Sequence, residues 1–193
     1  MSTITAPSRE YTVDQLDAMS NAKQYELVDG QLEARTVSGL SSYVGCKAAR
    51  LLMNHCERLN LGYVFGADYG YACFSDPKTL RRPDVSCILA ERFSPEQLKT
   101  GYATIPPDLA VEVLSPNDLA HKIEHKINEY LQAGVRLIWV INPILQSVYI
   151  YRLDGTTTYM HAKDDLSGED VIPGFQCRVH ELFDIGAKKP LDV

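Results

Sequence analysis

The chain has 193 residues and a mass of 21.6 kDa, which is one domain at roughly 100–200 residues per domain. Hydrophobic residues make up 45% and charged residues 23%, ordinary globular usage that excludes disorder, collagen and coiled coil. Lys and Arg number 19 against 25 Asp and Glu, a net charge of −6. That balance excludes a coat for nucleic acid held by charge alone, and leaves room for an enzyme whose carboxylates bind metal beside a local basic rim.

Residues 1–10 read as a loose tail, 11–184 as one domain and 185–193 as a second tail. No apolar run reaches the ~18–20 residues needed to span a bilayer, and the first ten residues lack the apolar stretch of a signal peptide. The five cysteines, Cys46, Cys56, Cys73, Cys87 and Cys177, form no CxxC. An odd number with apolar neighbours suits reduced thiols in a cytoplasmic protein, not a disulfide frame or a zinc knuckle.

Thr12 is the expected N-cap of a short helix over 11–19. Residues 25–35 form two short runs around Asp29-Gly30, a two-residue hairpin signal. Apolar steps of three and four predict a helix over 41–59, with Gly62 after its end. Strands are expected at 62–66, 69–75 and 83–90, with Asp76-Pro77 breaking the second. Ser94 and Pro95 announce a short helix over 93–102. Residues 108–116 read as a buried strand. Asn117 or Asp118 then caps a helix running to about Ala133, where Gly134 stops it. The continuous apolar run 136–142 is the pattern of a strand covered on both faces. Strand 147–153 follows, then a hairpin-like segment near 156–162 and a short last helix near 179–183. The order gives an α/β (α+β) fold with a mixed central sheet flanked by helices.

Three acids sit oddly for their surroundings. Asp84 heads an apolar strand, Glu112 lies between Val111 and Val113, and Glu26 lies between Tyr25 and Leu27. A carboxylate in such a setting is costly unless it is paired or binds a cation. The alternative is that strand alternation aims each one at solvent. On the helix after Glu112, the apolar stripe Leu119, Ile123, Ile127 and Tyr130 spans roughly 80°, at ~100° per residue. Lys126 projects about 20° beyond that stripe and Lys122 about 60°. Lys126 is either a snorkelling stem or an ammonium aimed at the carboxylates. Converging on a sheet edge, Glu26, Asp84, Glu112 and Lys126 would suit phosphodiester cleavage. Carboxylates hold Mg²⁺, the ion acidifies water and polarises phosphate, and a lysine offsets charge in the transition state.

The motifs YELVDG (25–30), RRPDVS (81–86), VEVLSP (111–116), K-x-x-x-Y-x-x-x-GV (126–135) and WVINP (139–143) occur in this order. In this respect the chain resembles the Uma-type putative restriction endonuclease family of the PD-(D/E)XK phosphodiesterase superfamily. The resemblance covers about residues 11–184. It implies a restriction-endonuclease-like core, a DNA-cutting activity dependent on Mg²⁺ (with Mn²⁺ as substitute), and a homodimer. It also implies Glu26, Asp84 and Glu112 as metal ligands, with Lys126 completing the catalytic set. The parent motif places its lysine two residues after the second acid, where this chain has Leu114; the following helix supplies Lys126 instead. Related sequences often carry a histidine where this chain has Ser41, Ser42 and Tyr43, and an acid where it has Lys122. These departures keep a second reading open: a nuclease-fold protein without catalysis that acts by binding nucleic acid or protein.

Other signals are weaker. His121 and His125 are four apart on a helix, but no His-Glu-x-x-His is formed, and they read as a surface pair. Ser115-Pro116 lacks the glycines of a nucleophile elbow, and no phosphate-cradling glycine motif is present. Residues 78–99 hold five basic residues against three acids. Arg81 and Arg82, just before Asp84, are the expected basic rim for phosphate approach, or a solvated loop.

Overall fold

The computed structural model describes residues 9–36, 38–99 and 101–185. The expected tails therefore lie mostly outside the described residues. Helix α1 (Val13–Asp17) starts at Thr12, whose side chain accepts from Gln15 N while the Gln15 side chain returns the bond, a reciprocal capping box. Strands β1 (Tyr25–Val28) and β2 (Gln31–Ala34) form the expected hairpin. Its turn residues, Asp29 and Gly30, both have positive φ (48° and 78°), as a tight two-residue turn requires.

Helix α2 (Gly39–Leu59) is capped by Ser38 and ends at a left-handed Asn60. The central sheet comprises β3 (Gly62–Gly66), β4 (Val85–Leu89), β5 (Leu109–Val113), β6 (Leu137–Asn142), β7 (Ser147–Arg152) and β8 (Thr157–Met160), in that spatial order. Only the β5–β6 pair is parallel. The crossover between them is helix α3 (Ala120–Ala133), stopped by left-handed Gly134. A small hairpin, β9 (Asp165–Ser167) with β10 (Gln176–Arg178), and a 3₁₀ turn at Val179–Leu182 close the described chain.

Alternation divides β5 between two layers. Leu109, Val111 and Val113 pack with Val44, Ala48 and Leu52 of α2. Ala110 packs with Ile127 and Tyr130 of α3, and Glu112, two residues on, shares that face. β6 is buried on both sides, Trp139 toward the first layer and Ile138 and Val140 toward the second, as its unbroken apolar run implied.

Several expectations are corrected. Residues 69–75 form no strand; Tyr71 alone makes bridges, to Arg81 and Ala103. Its ring is fully buried beside Ile88 and Phe93, and its hydroxyl donates to Ser86 Oγ at 2.7 Å. The aromatics here form a packing layer instead of a ladder. The helix expected over 93–102 shrinks to one 3₁₀ turn, Gln97–Lys99, because the few residues between Pro95 and Gly101 cannot repay helix nucleation. Leu119, not Asn117 or Asp118, stands at the N-cap of α3, with no side-chain cap. Asp118 instead accepts from Ser115 N at 2.7 Å, holding the loop. Leu119 is 53% exposed and so leaves the apolar stripe assigned to it. The last helix is only a 3₁₀ turn.

Candidate active site

Glu26, Asp84, Glu112 and Lys126 all line one open cleft of about 200 Å³. It lies where the N-terminal hairpin meets the end of β5 and the first turns of α3. The solvent-facing alternative for Glu112 fails, since the residue is 6% exposed and Glu26 is 7% exposed.

Glu112 reaches the cleft because it shares the α3 face of β5. Its Oε2 receives Lys126 Nζ at 2.9 Å, and its Oε1 receives the Tyr130 hydroxyl at 2.7 Å. Lys126 and Tyr130 are one turn apart on α3, so both point at one spot on the sheet. Burial pushes the Glu112 carboxyl up to about 7, with Lys126 pulling the other way and the charges of Asp84 and Glu26 adding to the rise.

Asp84 stands just before β4. Val85 pairs with Val111, so the antiparallel register sets Asp84 level with Glu112 on the neighbouring strand. Its Oδ2 accepts from Val113 N at 2.8 Å, and its Oδ1 faces the Arg35 guanidinium at 4.0 Å. Burial raises its pKa above the usual aspartate value, against the pull of Lys126 and the Val113 N–H. In both carboxyls desolvation outweighs mutual repulsion as the cause of the rise.

Glu26 is different. Its Oε1 accepts from Arg82 N at 2.7 Å and faces Lys126 Nζ at 3.0 Å; its Oε2 accepts from Arg81 Nη1 at 3.1 Å. Burial opposes its charge, yet Lys126, Arg81 and the Arg82 N–H together hold its pKa below the usual value. Lys126 thus lies between two carboxylates, and although burial works against its charge, Glu112 and Glu26 keep it firmly protonated. The two lysines of α3 differ as their angular positions imply. The Lys126 side chain is 12% exposed, while that of Lys122 is 51% exposed and pairs with Glu33 at 3.0 Å.

The basic rim is a correction. Arg81 and Arg82 are 4% and 2% exposed and belong to neither a rim nor a solvated loop. Arg81 spans Glu26 and Glu129. Arg82 donates to the carbonyls of Tyr25 and Asp68. At the place of the missing histidine, Ser41 is committed to the α2 cap, its hydroxyl receiving Ser38 N at 3.1 Å. His125 lies beside Glu129 at 3.6 Å with a half-exposed ring. Among the described cysteines there is no disulfide.

Residue patterning passed over Tyr130, Glu129 and Arg35. Tyr130 stands in the apolar stripe and in the K-x-x-x-Y motif with Lys126, but neither assigned it a role at Glu112. Nothing local in the sequence ties Glu129 to Arg81 or Arg35 to Asp84.

No group of three or more His, Cys, Asp or Glu able to hold a metal ion occurs among the described residues. A Mg²⁺ site needs less, because this ion keeps several waters and is commonly bound by one or two carboxylates. Asp84 and Glu112, adjacent across β4 and β5 and both with raised pKa, are a hard-oxygen pair whose charge a cation would stabilise. The residues fit such an ion.

A restriction-endonuclease-like fold is the class that this mixed sheet with its flanking helices defines. The chain belongs to the Uma2 family, described as putative restriction endonuclease, which matches residues 10–180. Its fold is also similar to the crystal structure of "a putative nuclease belonging to DUF820" from Anabaena variabilis. That comparison has a TM-score of 0.76 and 20% identity, and covers 90% of this chain and 98% of the other. No curated protein matches. Among the described residues, no helix is long and apolar enough to cross a membrane.

Proposed function

We propose that the protein is a metal-dependent phosphodiesterase that hydrolyses DNA at the Asp84–Glu112–Lys126 cleft. The observation that carries this reading is Lys126, a buried ammonium 2.9 Å from Glu112, opening onto solvent beside a second raised carboxyl, Asp84. Asp84 and Glu112 would hold Mg²⁺ or Mn²⁺, which supplies a polarised phosphate oxygen and a water acidic enough to attack at neutral pH. Lys126 offsets the negative charge that grows on the phosphate and orients the attacking oxygen. Tyr130 holds the Glu112 carboxylate in place through Oε1. A homodimer would bring two such clefts to a duplex, one for each strand.

The ion pairs that hold Lys126 between two glutamates favour one rival, a nuclease-fold protein that binds without cutting. Plasmid nicking with Mg²⁺ or Mn²⁺ separates the two readings. Wild type should nick. Lys126→Ala, assayed well below its melting temperature, should lose about 10²–10³-fold in turnover, the effect of removing one electrostatic stabiliser, with metal affinity undiminished. Lys126→Arg should not restore full rate, because a planar fork cannot replace a compact charge. Equal nicking by wild type and Lys126→Ala would overturn the assignment. Metal binding without any nicking would favour the binding protein.

A further inference from the structure

We propose that Glu26 is a positioning residue for Lys126 and not a ligand of the cation; this rests on the metal-dependent reading above. Three donors converge on its two oxygens. Arg82 N and Lys126 Nζ take Oε1 at 2.7 and 3.0 Å, and Arg81 Nη1 takes Oε2 at 3.1 Å. A cation would have to approach a carboxylate already facing an ammonium, a guanidinium and a backbone N–H.

The surroundings are built to hold Glu26 still. It is reached through the β1–β2 hairpin, which is tied to the segment before β4 by mutual backbone bonds between Leu27 and Leu80 (3.0 and 2.8 Å). Arg81 is itself clamped from α3, its Nε donating to Glu129 Oε2 at 2.7 Å. Glu129 stands three residues after Lys126, so one face of α3 supplies both the clamp on Arg81 and the lysine. The chain Glu129, Arg81, Glu26, Lys126 therefore starts and ends on the same helix and passes through the hairpin. Its geometric result is an ammonium held between Glu26 and Glu112. Asp84 lacks such saturation, since its Oδ1 has only the Arg35 guanidinium at 4.0 Å. Glu112 carries a single cation, Lys126 on Oε2, with the neutral Tyr130 hydroxyl on Oε1, so Asp84 and Glu112 are the less saturated pair for the metal ion.

Two measurements on the full chain test this. The first is Mn²⁺ binding by calorimetry for wild type, Glu26→Gln and Asp84→Asn. The isosteric glutamine keeps the cavity filled. Its affinity should stay within about threefold of wild type, whereas Asp84→Asn should lose at least about tenfold, a factor equal to 1.4 kcal/mol. The second needs no metal: acetylation of lysines by acetic anhydride, mapped by mass spectrometry, with Lys122 as internal reference. Lys126 should be protected in wild type and label about tenfold faster in Glu26→Gln, the scale expected for loss of one charge-assisted hydrogen bond. Asp84→Asn should leave Lys126 protected. Mn²⁺ affinity falling as far in Glu26→Gln as in Asp84→Asn would overturn the proposal, as would unchanged labelling of Lys126. If wild type binds no Mn²⁺, the nuclease reading fails by itself. The labelling result then still decides whether Glu26 positions Lys126.

Discussion

Replacing Lys126 with Met measures how much of the fold depends on the charge at the centre of the cleft. Methionine has similar length and fills the same space. It leaves Glu26 and Glu112, 7% and 6% exposed, without their shared ammonium at 3.0 and 2.9 Å. Removing one partner from a buried ion pair costs about 3–5 kcal/mol. At 2–4 °C per kcal/mol for a domain of this size, a loss of ~4 kcal/mol lowers the melting temperature by roughly 8–16 °C. The loss should depend on pH. Lysine's own folded-state pKa is raised, so its contribution is complete throughout the neutral and acid range and fades only in strong alkali. Glu112, with a folded pKa pushed up to about 7, is ionised at pH 8 and almost wholly protonated at pH 5. Lys126 pulls the Glu112 pKa down, so its loss drives that carboxyl higher still. At pH 8 the mutant must either bury an unpaired Glu112 charge or take up a proton there, a cost absent at pH 5, where chiefly Glu26 is affected. Chemical denaturation at both pH values is the assay. The destabilisation should be clearly larger at pH 8, and Glu112→Gln should recover part of it there. A cost under about 1 kcal/mol, the range of a solvated pair, or a cost equal at both pH values, would refute the burial argument.

The remaining predictions concern the supports of the cleft and the sheet. Tyr130→Phe deletes a hydroxyl that donates to Glu112 at 2.7 Å with almost no change of volume. It should destabilise by about 1.5–3 kcal/mol at pH 8, the range for a hydrogen bond to a charged group, and should raise the Glu112 pKa further by NMR titration. An unchanged pKa would mean that the bond is not formed. In the wild type, the raised Glu112 pKa means that stability due to this residue falls as pH rises from about 4.5 to about 7. The lowered Glu26 pKa acts oppositely, its contribution fading as pH falls below the ordinary glutamate range. Glu112→Gln should remove the first trend and leave the second in a pH series of melts. Far from the cleft, Gly62→Ala should destabilise by about 1–3 kcal/mol, the cost of overpacking. Its added Cβ would lie 2.3 Å from the Ile88 carbonyl oxygen and 2.8 Å from Leu89 Cα. A melt matching wild type would show that β3 can shift on β4.

The sequence revealed most where one element carried its own signal. The hairpin at Asp29-Gly30, the ends of α2 and α3, and the doubly covered β6 all follow from local turn chemistry or apolar period. The failures are places where tertiary contacts decide. Tyr69 and Tyr71 have the alternation of a strand, yet the chain uses them to stack a ring layer with Phe65, 4.2 Å from Tyr69. Arg81 and Arg82 look like surface charge because nothing local shows that Glu26 and Glu129 pair with Arg81 or that the Tyr25 and Asp68 carbonyls take up the Arg82 guanidinium. Asp108 is instructive in another way. It is fully buried at the head of β5, more so than Glu112, but Leu89 N at 2.9 Å and Arg92 at 2.6 Å satisfy it. A buried acid in a strand is thus not itself a sign of chemistry. What distinguishes Glu112 and Asp84 is their place beside each other on the lining of an open cleft.

The location of the lysine follows from the packing of α3. A lysine at position 114, two residues after Glu112, would point to the same face of β5. In this chain Leu114 takes that place and packs with Ile123 and Ile127 in the layer beneath α3. An ammonium there would interrupt the apolar seam between strand and helix, in addition to needing a counter-charge. Placing the lysine on α3 leaves the seam apolar and brings Nζ to Glu112 from above, at 2.9 Å. It also brings the lysine within reach of Glu26 on the hairpin, at 3.0 Å. The cost is that the ammonium no longer shares a rigid strand with its carboxylate, so its position depends on how α3 is seated. Tyr130 on Glu112 and Glu129 on Arg81 are the contacts that seat it. Both lie within four residues of Lys126, on the one face of the helix that meets the sheet and the hairpin. A lysine on a helix therefore requires this second set of buried polar partners, which a lysine on the strand would not.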